Sequence, residues 1–354
     1  MSDMQQVWVE RIRAAADTGT QLRIRGGGSK DFYGQHTEGA VFDTREHRGV
    51  ISYEPTELVI TVRAGTPLVE LEAVLAERGQ MLGFEPPHFG PDATVGGCVA
   101  AGLSGPRRAA AGAVRDFVLG VTLIDGRGDV LRFGGEVMKN VAGYDVSRLM
   151  VGSLGTLGVL LDVSLKVLPV PVAEATLRFE ADEVRALKQF NAWGAQPLPI
   201  TASCWSAGAM CVRLSGAAAA VEAAARQLGG DRLEDAAATA HWAGMREQRN
   251  GFFGGNAPLW RVSVPSVAAP LGLDGAQLIE WGGAQRWLRS EADVRRIRDR
   301  AAALGGHATL FRGKDAATAV FHPLAPALKT IHSRLKASFD PAGIFNPGRL
   351  YDGL

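Results

Sequence analysis

The chain has 354 residues and a formal net charge of +1, with 38 Lys and Arg against 37 Asp and Glu, and 46% of its residues are hydrophobic. The length predicts two domains, and the balanced charge, without a Lys/Arg block interleaved with aromatics, gives no reason to expect nucleic acid as a partner. The three cysteines, Cys98, Cys204 and Cys211, form no C-x-x-C pair, which favours a reducing compartment and predicts no metal site.

The N-terminal stretch MSDMQQVWVERIRAAAD carries several charges. A signal peptide needs an uninterrupted apolar region instead, so none is expected. No stretch reaches the ~18 consecutive apolar residues that a membrane span needs. We therefore expect a cytoplasmic protein whose contact with a membrane, if any, is made through a partner.

A glycine-rich loop at residues 26–28 is the first predicted element, within the stretch RIRGGGSKDFYG. Successive glycines let backbone N–H groups converge on an anion, and Lys30 adds positive charge, so the loop is a candidate phosphate site. It is not a Walker loop, because Lys30 is followed by Asp31 and has no glycine immediately before it. It is not a Rossmann turn either, since Asp31 occupies the last position of the G-x-G-x-x-G pattern.

The rest of the first half, up to residue 171, predicts one domain of short strands and tight turns. Strands are predicted at residues 39–44, 59–62, 117–124, 129–133 and 158–171. The segment TPLVELEAVLAERG predicts a helix with Thr66 as its N-cap, Pro67 at its first position and Gly79 at its end.

After Pro171 the pattern predicts a second α+β domain over residues 172–325. Its strands are predicted at 176–181, 199–205, 210–214, 259–264 and 308–312, and its helices at 183–193, 217–228 and 291–304. Ser290 is predicted to open the last of these helices, with Asp293 at the capping-box position. A final helix with Leu328, Ile331 and Leu335 on one stripe leads into a turn-rich tail, and residues 326–354 are expected to pack back onto the first domain.

Two further glycine clusters follow the first one in the same domain. They are Gly96, Gly97, Gly102, Gly105 and Gly112 within residues 93–112, and Gly152, Gly155 and Gly158 within residues 141–159. A lone cluster of this kind is more often only a set of tight turns. Three clusters in one domain indicate a large cofactor with an internal pyrophosphate.

The order of four segments resembles the FAD-binding domain of the para-cresol methylhydroxylase and vanillyl-alcohol oxidase superfamily. The segments are RGGGSKDFYG, TVGGCVAAGLSGPRR, GAVRDFVLGVTLIDGRGDVLRFGG and KNVAGYDVSRLMVGSLGTLGVLLDVSLKVLP, and the resemblance returns at FDPAGIFNPGRLY. Within that superfamily the chain is most similar to the FAD-binding subunits of glycolate oxidases. The resemblance implies an α+β fold: a two-subdomain FAD-binding domain of the vanillyl-alcohol oxidase type, a smaller α+β cap domain, and a tail that returns to the FAD domain.

The same resemblance implies an oxidoreductase acting on CH-OH groups, as a subunit of a glycolate oxidase (glycolate dehydrogenase) complex. Glycolate would be oxidised to glyoxylate, with electrons passed through flavin to an iron-sulfur subunit. A larger flavin subunit is the other implied partner, and the complex could hold the chain at the inner face of the cell membrane. The H-x-x-D-G-N-x-H metal signature of single-chain relatives is missing and the cap is short, so oxidation of the substrate is expected in the larger subunit.

Two alternatives stay open from the sequence. One is a self-sufficient flavin oxidoreductase of a small alcohol or hydroxy acid. The other is a flavin-free structural subunit, because two positions depart from the pattern of the relatives. Gly102 stands where they often have Asn, and Ala111 where they often have Tyr or His.

The resemblance also assigns non-covalent FAD contacts residue by residue. The first loop would hold the diphosphate through its backbone, and the second loop and its continuation would lie beside the flavin. A strand would contact the adenosine half of FAD. The tail would return to the flavin edge. In that order the residues are Gly26, Gly27, Gly28, Ser29 and Lys30; Thr94, Gly96, Gly97 and Cys98, then Ala101, Gly102 and Gly105; Gly158 and Val159; and Asn346. No covalent anchor is expected, since the first loop contains no histidine.

Catalytic residues are not assigned by the resemblance. His88, in EPPHFGPD, is a candidate for proton transfer because histidine titrates near neutral pH, and its alternative interpretation is a turn histidine between prolines. Arg107 and Arg108 could receive a carboxylate or phosphate, or contact a partner subunit as a solvated pair.

Overall fold

The computed structural model describes residues 3–135, 145–313 and 318–354. Most of the KNVAGYD segment therefore lies outside the described residues. The helices are α1 (Asp3–Thr18), α2 (Leu68–Ala76), α3 (Val95–Ala101), α4 (Arg108–Ala111), α5 (Val114–Phe117), α6 (Val146–Leu149), α7 (Glu183–Gly194), α8 (Ala218–Leu228), α9 (Asp235–Arg246), α10 (Val294–Ala303) and α11 (Pro326–Phe339). Within the described ranges, no helix is long and apolar enough to cross a membrane.

The strands are short, and they form mostly antiparallel sheets. They are β1 (Leu22–Arg25), β2 (Ala40–Asp43), β3 (Val50–Glu54), β4 (Val59–Arg63), β5 (Gln80–Met81), β6 (Val118–Ile124), β7 (Val130–Gly134), β8 (Val159–Lys166), β9 (Leu168–Pro169), β10 (Ala173–Glu180), β11 (Ile200–Ser206), β12 (Ala209–Gly216), β13 (Asp231–Arg232), β14 (Leu259–Ser263), β15 (Ala276–Glu280), β16 (Gln285–Arg289) and β17 (His307–Arg312).

The chain divides into two compact units. Unit 1 comprises Met1–Leu103, Ala113–Pro169 and Pro323–Leu354, and unit 2 comprises Ser104–Gly112 and Val170–His322. Each unit has its own sheet and its own buried apolar clusters. The predicted domain boundaries at residues 171 and 325 stay a prediction.

Unit 1 is built on a five-stranded sheet in the order β3-β4-β8-β6-β7. β4 and β8 pair antiparallel near its centre and are buried along nearly their whole length. Burial on both faces explains why β4 and the first three residues of β8 show no strict alternation of apolar and polar residues. The predicted strand over 158–171 is wrong in one respect: β8 ends at Lys166, and Leu168–Pro169 leaves this sheet to pair with β5.

The glycine loop of unit 1 follows directly on β1, which pairs in parallel with β2. The tail runs along the other edge of β1, because the Leu22 N–H donates to the Ile344 carbonyl at 2.7 Å and the Asn346 N–H donates to the Leu22 carbonyl at 3.0 Å. Helix α1 is not among the predicted elements. It packs Trp8 and Ile12 into an apolar cluster that also contains Leu22 of β1 and Phe345 of the tail. Burying a side chain of this size stabilises the fold by roughly 1.5–3 kcal/mol.

Two helix starts differ from the sequence prediction. Thr66 is not the N-cap of α2: the helix begins at Leu68, and the Thr66 hydroxyl instead donates to the Arg63 carbonyl at 2.6 Å. Ser290 does not open α10 either. Asp293 is itself the N-cap there, with its carboxylate accepting from the Arg295 N–H at 2.8 Å, and a carboxylate is the stronger acceptor for a helix terminus.

Helix α11 buries a lysine rather than the predicted apolar stripe. Leu328 and Ile331 are 49% and 52% exposed, whereas Lys336 is buried. The Lys336 Nζ donates to the Asp340 carboxylate at 2.7 Å and to backbone carbonyls of Thr156 and Phe345 at 2.9 and 2.7 Å. A polar connection therefore fixes α11 within unit 1.

Unit 2 is built on an eight-stranded antiparallel sheet in the order β13-β10-β12-β11-β15-β16-β14-β17. Helices α7 and α8 pack apolar residues onto one part of it, and α10 packs onto another. Residues 104–112 belong to this unit: the Arg107 guanidinium pairs with Glu174 at 2.7 Å, and the Trp281 indole N–H donates to the Gly105 carbonyl at 3.1 Å.

Candidate functional site

A cavity of about 240 Å³ in unit 1 gathers most of the residues that the sequence assigned to a cofactor. It is lined by the first glycine loop, the start of α3, the segment after α6 and the tail. The predicted residues in its lining are Gly26, Gly27, Gly28, Ser29, Lys30, Thr94, Gly96, Gly97, Ala101, Gly158 and Asn346. Cys98, Gly102, Gly105 and Val159 lie elsewhere.

The first loop offers unused hydrogen-bond donors. The backbone N–H groups of residues 26–29 donate no hydrogen bond to any residue that the structure describes. Gly28 has a φ of +73°, which an L side chain adopts only at a cost, so the chain can turn here and present successive N–H groups. Such an arrangement binds anions.

The second loop supports the first one by direct contact. A Cβ on Gly27 would lie 1.5 Å from the Asp92 carbonyl oxygen, and a Cβ on Gly26 would lie 2.4 Å from the Thr94 hydroxyl. The N–H groups of the second loop are already used: that of Gly96 donates to the Ala64 carbonyl at 2.7 Å, and that of Gly97 donates to the Thr94 hydroxyl at 3.2 Å. The first loop therefore has free N–H groups that the second loop lacks, and its assignment to the diphosphate stays a prediction.

Two arginines hold the first loop from outside. Arg25 pairs with the Asp31 carboxylate at 2.7 Å. Arg349, from the tail, donates to the carbonyls of Gln35 at 2.8 Å and Asp31 at 2.9 Å. Burial lowers the pKa of Arg349, which the nearby Asp31 partly offsets. An arginine remains charged after such a shift, so both side chains also add positive potential to the lining.

Two more cations reach the cavity from the loop and from β1. Lys30 directs its Nζ toward the His88 carbonyl at 3.2 Å and lies 5.6 Å from the centre of the Phe89 ring. The Nε of Arg23 is buried in the lining and has no hydrogen-bond partner within residues 3–135, 145–313 and 318–354. A buried donor without a partner is costly, and an anionic ligand in the cavity would satisfy it.

Asn346 lines the cavity, and its side chain also positions the segments around it. Its assigned contact with the flavin edge stays a prediction. Its side-chain oxygen accepts from the Ile24 N–H at 2.7 Å, and its amide nitrogen donates to the Leu154 carbonyl at 2.6 Å. Its φ of +39° lies in the left-handed region that asparagine tolerates better than most residues. One side chain thus joins β1, the segment after α6 and the tail around the cavity.

Replacing Asn346 with alanine is expected to lower the free energy of unfolding by about 2–4 kcal/mol, because a buried N–H and a buried carbonyl each lose their partner. Asn346→Asp keeps the acceptor for the Ile24 N–H but places a carboxylate oxygen against the Leu154 carbonyl oxygen, so it should not restore the lost stability. Urea denaturation measures both changes, with the exposed Asn256→Ala as the matched control. An Asn346→Ala variant as stable as the Asn256→Ala control would contradict this role.

Four residues predicted to contact FAD lie outside the lining of the cavity. Cys98 is buried in α3, and burial raises the pKa of its thiol to about 11. Gly102 ends α3 with a φ of +67°, and a Cβ there would lie 3.0 Å from the Gly152 Cα. This close approach and the positive φ favour glycine at this position. Val159 is buried in β8 and Gly105 belongs to unit 2; their assigned FAD contacts stay predictions.

The candidate catalytic and anion-binding side chains are engaged outside the cavity lining. The Nε2 of His88 lies 3.2 Å from the Glu72 carboxylate. The interpretation of Arg107 and Arg108 as a solvated pair is wrong: Arg107 is buried against Glu174, and the Arg108 guanidinium stacks 4.4 Å from the centre of the Trp281 ring. Sequence reasoning did not select Arg23 and Arg349, although both stand in quoted motifs, because only tertiary structure shows that they face one cavity.

Comparison with known proteins identifies the family of the chain. The family described as "FAD binding domain" matches residues 4–134. The chain is 50% identical over 352 residues to glycolate oxidase subunit GlcE of Escherichia coli strain K12, covering 99% of both chains. It is 32% identical over 155 residues to glycolate oxidase subunit GlcD of Bacillus subtilis strain 168, covering 43% of this chain and 33% of that one.

A solved structure of alkyldihydroxyacetonephosphate synthase matches with a TM-score of 0.66 at 17% identity, covering 97% of this chain and 75% of that one. This likeness confirms the predicted α+β fold, and the family match over residues 4–134 confirms the FAD-binding domain. The loop amides without acceptors and the buried Nε of Arg23 fit the diphosphate of FAD. With 50% identity over nearly its whole length, the chain belongs to the family of glycolate oxidase subunit GlcE and carries an FAD-binding domain.

Proposed function

We propose that the chain is the FAD-binding subunit of a glycolate oxidase complex and takes part in the oxidation of glycolate to glyoxylate. The observation that carries the proposal is the loop of unused backbone donors at residues 26–29, in a chain whose full-length relative is named a glycolate oxidase subunit. Bound FAD would supply redox chemistry in steps of one or two electrons, which suits transfer between a flavin and an iron-sulfur centre.

The chain's own residues would bind and orient the cofactor. The N–H groups of residues 26–29 would donate to the diphosphate, and the Arg23 guanidinium would add charge beside it. Asn346 holds β1 against the segment at Leu154, which keeps two walls of the cavity in register. These contacts are non-covalent, and Cys98, the cysteine of the second loop, lies outside the lining.

The proposed partners are a larger flavin subunit and an iron-sulfur subunit. The match to a GlcD subunit over 155 residues supports a complex in which two chains share related flavin domains. We place oxidation of glycolate in the larger subunit, because this chain lacks the H-x-x-D-G-N-x-H signature and its candidate base, His88, faces Glu72. This subunit would then relay electrons or stabilise the assembly, at the inner face of the cell membrane if the complex binds there.

The division of labour is tested by adding glycolate anaerobically to the purified chain, and separately to the complete complex, while the flavin absorbance is followed. We expect no bleaching in the isolated chain and rapid bleaching in the complex. Bleaching of the isolated chain at the rate of the complex would place catalysis in this chain and favour a self-sufficient oxidoreductase. A chain that takes up no FAD would favour a structural subunit.

A further inference from the structure

Unit 2 carries a row of reactive side chains across its sheet. The strand register pairs Arg178 with Cys211, Cys211 with Cys204, and Cys204 with Glu280. Residues paired directly across neighbouring strands project from the same face of a sheet. The two cysteines, which are separated along the chain by a hairpin, therefore lie side by side.

Helix α9 adds a histidine to this pair. The His241 Nε2 lies 3.3 Å from the Cys204 sulfur. The His241 nitrogen and the two cysteine sulfurs all lie within 4.8 Å of one another. Both cysteines are buried, at 4% and 5% exposure, and the histidine is half-buried.

We propose that Cys204, Cys211 and His241 bind a divalent metal ion that favours sulfur and imidazole ligands, with Zn²⁺ as the best fit. Tetrahedral zinc with Zn–S bonds of about 2.3 Å and Zn–N bonds of about 2.0 Å places neighbouring ligand atoms about 3.5–3.8 Å apart. The separation of 3.3 Å between the Cys204 sulfur and the His241 nitrogen is already close to these values, and the Cys211 sulfur lies within 4.8 Å of both atoms. The chain supplies three ligands, and water would take the fourth position.

The surroundings of the cluster suit this ligand set. Two thiolates balance the charge of one divalent ion, which reduces the cost of burying it. Glu280, next in the row, is held elsewhere, since its carboxylate accepts from the Trp287 indole N–H at 2.7 Å and the Gln285 amide at 3.1 Å.

The proposal departs from the prediction that the chain holds no metal. That prediction relied on the absence of a C-x-x-C pair. In the structure, the register of the β11–β12 hairpin brings Cys204 and Cys211 together although they are seven residues apart in the sequence. A disulfide between Cys204 and Cys211 is the competing use of the two sulfurs. The metal is favoured because it also explains the position of His241. In a disulfide the Cys204 sulfur would have no bond to offer the His241 ring nitrogen beside it. A bound ion would tie α9 to the β11–β12 hairpin.

The test uses the full chain, stripped of metal with a chelator under reducing conditions and then titrated with Co²⁺ and, in competition, with Zn²⁺. We expect one equivalent of Co²⁺ to give thiolate-to-cobalt absorption in the near ultraviolet, displaced by Zn²⁺ with a dissociation constant below about 1 μM. Cys204→Ser and His241→Gln should each weaken Zn²⁺ binding at least about 100-fold. Cys98→Ser, at a buried cysteine of unit 1, is the matched control and should bind as the parent does.

His241→Gln keeps the test informative if Cys204→Ser fails to fold, because His241 lies half-buried on a helix. Circular dichroism reports folding independently of metal. The proposal is overturned if the reduced parent gives no thiolate-to-cobalt band, or if both variants bind Zn²⁺ as tightly as the parent. Mass spectrometry that finds a Cys204–Cys211 disulfide and no metal in freshly purified protein would overturn it as well. None of these readouts depends on FAD or glycolate.

Discussion

Replacing Gly27 with alanine is expected to weaken FAD binding by at least about 100-fold, equivalent to about 2.7 kcal/mol. The added Cβ would lie 1.5 Å from the Asp92 carbonyl oxygen, a distance at which one of the two backbones must move. The N–H groups of the first loop would then no longer converge on the diphosphate. The measurement is FAD affinity from the quenching of flavin fluorescence during titration of the apoprotein.

The matched control for Gly27→Ala is Gly194→Ala. Gly194 ends helix α7, and a Cβ there would meet no atom within 4 Å. This variant should bind FAD as the parent does and be at least as stable, because alanine favours a helix more than glycine. A folded Gly27→Ala protein with parental FAD affinity would show that the first loop does not bind the diphosphate.

The Lys336→Met variant is expected to lose about 3–5 kcal/mol of unfolding free energy, the usual cost of breaking a buried ion pair from one side. Lys336 donates to Asp340 at 2.7 Å, and the Asp340 side chain is fully buried. Removing the ammonium leaves this carboxylate without its counter-charge and also frees the carbonyls of Thr156 and Phe345. Urea denaturation followed by circular dichroism gives the difference.

Lys329→Met provides the control, because Lys329 lies exposed on the same helix. It should change stability by less than about 0.5 kcal/mol. The double variant Lys336→Met with Asp340→Asn should recover part of the loss, since it no longer buries an unpaired charge. Equal stabilities of the Lys336→Met and Lys329→Met variants would show that the ion pair does not anchor the tail.

The parts of the cofactor site that sequence could predict are those with local causes. Three consecutive glycines after an apolar strand pattern indicate a loop with accessible backbone, wherever the loop later lies. The strand prediction at 59–62 is confirmed as β4, because a buried central strand needs a continuous apolar run. The helix prediction at 183–193 is confirmed as α7, which Asp182 caps.

The parts that sequence missed depend on residues far apart in the chain. The Asp92 carbonyl lies so close to Gly27 that no side chain fits there, and Arg349 donates hydrogen bonds to the first loop. No sequence periodicity relates these positions. The buried face of α11 was predicted wrongly although its sequence does contain an apolar stripe. The buried Lys336 and its three acceptors determine how the helix packs. Residues 104–112 fold with unit 2 although their small, glycine-rich sequence continues that of the second loop.

The measurement that tests the central claim most directly is the absorption spectrum of the purified chain before and after acid precipitation. We predict flavin bands near ~370 and ~450 nm that leave the protein and remain in the supernatant, as expected for non-covalent FAD. A colourless chain that also takes up no added FAD would contradict the account, because the loop at residues 26–29 would then bind no flavin cofactor. Flavin that stays with the precipitate would contradict its non-covalent attachment.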